Sequence, residues 1–109
     1  MQELTSAQTA ALERLLARGF RLVAFPLYAS AIGVRRDSFA ALLVPAENSV
    51  LRLLGDPCYL IDGNLSVQVQ RADIRRFVWK GKSVEATPEL LAALQQVARD
   101  LQEVLSAAA

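Results

Sequence analysis

The chain has 109 residues, 53% of them apolar and 21% charged, with 12 basic and 11 acidic side chains. That length fits one domain with one core, the apolar share excludes a disordered chain, and near-neutrality gives no general pull toward nucleic acid or anionic lipid. Histidine is absent and cysteine occurs once, at Cys58, which excludes His-based triads, His- or all-Cys zinc sites and an intrachain disulfide.

Thr5 and Gln8 have the Thr-x-x-Gln spacing of a capping box and open a helix over residues 5–18. Leu12, Leu15 and Leu16 form its apolar stripe beside Ala11. Arg14 and Arg18 suit the negative end of the dipole, and Gly19 is the stop. Met1-Gln2-Glu3-Leu4-Thr5-Ser6 has no basic segment followed by an apolar one, so no secretory leader is expected.

Strands are expected at about 20–25, 31–35, 39–44, 50–54 and 58–61, punctuated by Pro26, Arg36-Asp37-Ser38, Pro45-Ala46-Glu47-Asn48 and Gly55-Asp56-Pro57. The uncharged run from Leu22 to Val34 is too short to span a membrane, which takes about 20 residues. Asp62-Gly63 between apolar runs is the strongest hairpin signal in the chain. Residues 65–70 then alternate, which predicts Leu65, Val67 and Val69 toward the core and Ser66, Gln68 and Gln70 toward water. Arg71-Ala72-Asp73 turns the chain into a strand at 74–80, followed by a short Ser83-Val84-Glu85 segment.

Thr87-Pro88-Glu89 reads as N-cap, first helical residue and dipole-facing acid. Leu90, Leu94, Val97, Leu101 and Val104 then mark the buried stripe of a helix over about 88–106, flanked by Leu91, Ala98 and Leu105, and the alanine tail is expected to fray. Short connections favour hairpins over crossovers. The expected fold is therefore a single α+β domain over residues 1–109: an N-terminal helix, a mostly antiparallel meander of five to seven strands, and a long C-terminal amphipathic helix packed on the sheet. A strand-rich middle closed by such a helix resembles pleckstrin-homology-like domains in architecture alone, which does not fix function.

Four features are weighed as sites. The first is the basic-aromatic hairpin. Arg71, Arg75, Arg76, Phe77, Trp79 and Lys80 interleave cations with rings, as single-stranded nucleic acid would require. The plainer account makes Phe77 and Trp79 core residues and the cations guards of a strand edge. The second, Cys58, lacks a His and has Asp56 nearby, so it reads as a small buried apolar residue. The third, Asp56, Asp62, Asp73 and Glu85, shows neither metal-ligand nor paired-carboxylate spacing. Gly55, Gly63 and Gly81 form no phosphate-binding loop.

The fourth is the apolar surplus, with Leu27, Tyr28, Leu91 and Leu105 as candidate interface residues. The sequence thus favours a small cytoplasmic interaction or adaptor domain without catalysis or cofactor, self-associating through an apolar sheet or helix surface. A nucleic-acid module using the 71–82 hairpin and a small-molecule-binding domain are the alternatives. No membrane partner is expected.

Overall fold

The computed structural model describes residues 4–46 and 50–107. Helix α1 spans Ser6–Ala17, and its capping box forms: the Gln8 N–H donates to Thr5 Oγ1 at 3.1 Å, while the Thr5 N–H donates to Gln8 Oε1 at 2.9 Å. It ends in a Schellman turn. The Gly19 N–H donates to the Leu16 carbonyl and the Phe20 N–H to the Leu15 carbonyl, with Gly19 at φ 91°. Ala11, Leu12 and Leu15 are buried, whereas Leu16 at the edge of the stripe is exposed.

The strands are β1 Arg21–Val23, β2 Ile32–Arg36, β3 Phe39–Pro45, β4 Leu51–Leu53, β5 Cys58–Ile61, β6 Asn64–Leu65, β7 Val67–Arg71, β8 Ile74–Trp79 and β9 Lys82–Glu85. A 3-10 turn at Pro26–Tyr28 follows β1. The α+β class, the two helices and the antiparallel pairing are as expected. The single meander is not: the described strands form one sheet of six and another of three. In the larger sheet β3 is central. It pairs with β2 along one edge and shares the other between β5, at Phe39–Ala40, and β4, at Leu43–Pro45. The expected turn at 45–48 lies partly outside the described residues.

Asp62 and Gly63 join β5 to β6 with φ values of 52° and 77°, the left-handed pair that an Asp-Gly hairpin turn supplies. The chain then leaves the sheet at Ser66. This residue is buried, and both its N–H and its hydroxyl donate to the Tyr59 carbonyl, at 3.1 and 2.6 Å. Past this pin β7, β8 and β9 form the second sheet, in that order.

Helix α2 runs Pro88–Ala107, with Thr87 Oγ1 accepting from the Leu90 N–H at 3.2 Å as its cap. Val97, Leu101, Val104 and Leu105 close the main core against α1 and the inner face of the six-stranded sheet, where Val34, Phe39, Ala41, Leu43 and Leu51 lie. Toward its start, Leu90, Leu91 and Leu94 pack on a smaller cluster of Ile61, Phe77 and Ala86. One helix therefore spans the junction of the two sheets. No helix among the described residues is long and apolar enough to cross a membrane.

Candidate functional site

The three-stranded sheet presents two different faces. Cross-strand partners share a face, so the register puts Val67 and Val78, Val69 and Arg76, and Arg71 and Ile74 together on the outer one, with Ser83 and Glu85 continuing it on β9. The opposite face carries Gln68, Gln70, Arg75, Phe77, Trp79 and Val84. Phe77, Trp79 and Val84 pack toward α2, which leaves the outer face uncovered.

That uncovered face sets Val67, Val69, Ile74 and Val78 among Arg71, Arg76, Ser83 and Glu85. Val67 is 64% exposed, Ile74 45% and Val69 39%. A depression of about 410 Å³ lies among Val69, Arg71, Ile74, Arg76, Val78 and Ser83. The expected inward placement of Val67 and Val69 is thus corrected. The break at Ser66 moves β7 out of the larger sheet, and Ser66, expected at the surface, is the buried residue. Alternation identifies two faces but not which of them meets water.

The hairpin residues are divided between surfaces. Arg71 and Arg76 stand on the outer face. Arg75 is on the other, its Nε donating to Gln70 Oε1 at 3.2 Å. Lys80 lies in the turn after β8, its Nζ 5.3 Å from the centre of the Trp79 ring. Phe77 is 1% exposed and stacks on Tyr59, so its proposed part in base stacking is corrected: the ring is core. Trp79 is half-buried against the same cluster.

Leu105 is also corrected as an interface residue, since it is buried in the main core. Leu91 is half-buried in the smaller cluster. Leu27 and Tyr28 do project, from the 3-10 turn: Leu27 is 81% exposed, and the two edge a cleft of about 60 Å³ beside Trp79. That cleft is far smaller than the ~300 Å³ a ligand pocket usually needs.

The Cys58 thiol is half-buried and donates to the Asp56 carbonyl oxygen at 3.4 Å. Burial raises its pKa, and the Asp56 charge raises it further, the opposite of an activated nucleophile. Asp62 pairs with Lys82. Among the described residues no three Cys, Asp or Glu side chains lie close enough to hold a metal ion.

One polar network escaped the sequence analysis. Arg36 on β2 reaches Asp100 on α2, Nη2 to Oδ2 at 2.6 Å, and its guanidinium covers the Phe20 ring at 4.6 Å. Arg18 bonds Glu103 at 2.8 Å and lies 3.6 Å from Asp100. This network ties α1, β2 and α2 together.

Comparison with protein-family profiles, with curated proteins and with solved structures finds no match to this chain.

Proposed function

We propose that this chain is a non-catalytic protein-interaction domain whose docking surface is the outer face of β7, β8 and β9. The observation that carries the reading is the alignment of Val67, Val69 and Ile74, all exposed, on one face of a regular hairpin. Scattered surface apolar residues are ordinary, but a contiguous set around a depression favours a partner that removes it from water. The reading places the domain in the cytoplasm, a setting that suits its lone unpaired Cys58.

The test is selection of binders from an unbiased peptide library on the folded domain. Selected peptides should lose binding with Ile74→Asp and keep it with Leu16→Asp, a change at an exposed position on α1. Binders that ignore Ile74→Asp would reject this surface.

Self-association is a second reading, favoured by the projection of Leu27 and Tyr28 from the 3-10 turn. Light scattering from micromolar to near-millimolar protein would then show mass rising with concentration, and Leu27→Asp would abolish the rise. A constant monomer mass would reject it.

A further inference from the structure

We propose that the occupant of the outer β7–β9 face is an extended acidic segment of another protein, in which carboxylates and apolar side chains alternate. The proposal rests on the docking reading above and adds the chemistry of the partner.

Arg71 and Arg76 are the basis. Both are exposed on the apolar face, and among the described residues neither side chain has a hydrogen-bond or ion-pair partner. Glu85 is the only acid on the face; it lies across from Arg76 in register and makes no ion pair with it. The surface thus couples exposed valine and isoleucine with unsatisfied cations, and a partner of opposite charge completes it.

The spacing selects an extended chain. Arg71 lies opposite Ile74, so Arg76, two residues further along β8, is its diagonal neighbour. Diagonal neighbours are about 7–8 Å apart, their Cβ atoms somewhat closer. Alternate side chains of an extended segment are separated by about 6.8 Å. Two carboxylates flanking one residue therefore meet both guanidiniums. Along that diagonal the segment passes between Ile74 and Val69, and its next side chain on that face reaches Val78 and Ser83.

Other occupants fit less well. A second copy stacked face to face would bring two arginines and one glutamate from each chain into one layer, a repulsive excess of positive charge. Nucleic acid offers the charge, but the face has no aromatic ring for its bases, since Phe77 and Trp79 belong to the opposite side.

The experiment titrates the full chain into a fluorescein-labelled peptide in which serines alternate with two glutamates, a leucine and a valine, read by fluorescence anisotropy. Saturable binding is expected. It should weaken about fivefold to tenfold when Arg71→Gln and Arg76→Gln are combined, and by a similar factor on raising salt from ~0.05 to ~0.3 M. Val69→Ser with Ile74→Ser should weaken it comparably. The same peptide with lysine for glutamate should not bind.

Absence of binding up to millimolar protein overturns the proposal. Binding that ignores both arginines, or that accepts the lysine peptide, also overturns it and leaves an uncharged docking face. If the arginine changes matter and the Val69 and Ile74 changes do not, the face is only an anion contact, and the docking reading fails with the proposal. Displacement by oligothymidylate at lower concentration than by unlabelled peptide would assign the face to nucleic acid, and a dimer seen by light scattering that Ile74→Ser abolishes would assign it to a second copy; either overturns an acidic peptide.

Discussion

Tyr59 of β5 stacks on Phe77 of β8, ring centroids 5.0 Å apart and planes 22° from parallel, and this pair joins the two sheets. Tyr59 also meets Phe39 edge-on at 5.7 Å, so the contact continues into the main core. Phe77→Ala removes the fully buried ring of the three-stranded sheet. It should cost about 3–5 kcal/mol, the usual range for a buried phenylalanine. Urea denaturation measures the loss. Hydrogen exchange should show it concentrated in β7–β9, because Val97, Leu101, Val104 and Leu105 hold the main core, while Leu90 and Leu94 are the α2 residues that pack on both clusters. Uniform deprotection of both sheets would show that the sheets unfold as one unit.

The Arg36–Asp100 pair makes stability sensitive to acid. The Arg36 hydrogen bond leads in holding the Asp100 carboxyl below its ordinary value of 3.8, aided by Gln96 and by the charges of Arg36 and Arg18, against an opposing effect of partial burial. A depressed folded-state pKa means that the stabilisation is complete above the unfolded value and fades as pH falls from about 4 through the lower folded value. Asp100→Asn should cost about 1 kcal/mol at neutral pH and flatten the stability profile below pH 4. Parallel acid limbs for the two proteins would exclude Asp100 as the titrating group.

Local signals in the chain were legible where neighbours in sequence are partners in space. Thr5 with Gln8, Thr87 before Pro88, and Asp62-Gly63 each satisfy backbone groups or dihedral angles within a few residues, so type and spacing suffice. The candidate surface depended on something else. Ser66 binds the Tyr59 carbonyl and moves the next strand into another sheet, which decides the exposure of Val67 and Val69. Leu105 and Phe77 carried the right residue types for an interface or a stacking platform, and only packing showed that both are interior. Arg36 and Asp100 are 64 residues apart, beyond any local pattern.

Gly33 is required by a close approach. A Cβ there would meet the Val23 carbonyl oxygen and come within 2.6 Å of the Phe25 ring, which packs over this point of β2. The carbonyl belongs to the Val23–Gly33 pair of the β1–β2 ladder, so something in that pairing or in the Phe25 ring must shift to admit a Cβ. Gly33→Ala should therefore destabilise the domain by about 1–3 kcal/mol, as overpacking does. Phe25→Ala removes the ring but not the carbonyl, so combining it with Gly33→Ala should relieve only part of the clash. A neutral Gly33→Ala would mean that β1 shifts away freely.

The β7–β8 turn offers the opposite opportunity. Ala72 lies at φ 54°, a left-handed conformation that its Cβ disfavours and that glycine adopts without penalty. Its neighbours Arg71 and Ile74 pair across the hairpin and fix the turn in this geometry. Ala72→Gly should raise stability by up to about 1 kcal/mol, reduced by the extra freedom glycine gives the unfolded chain. The side chain is exposed, so no packing is lost. Thermal and urea unfolding should both report the gain, and the peptide titration should be unchanged, because Arg71, Arg76 and the apolar face keep their register. A lower midpoint would show that the unfolded-state entropy outweighs the relieved strain at this turn.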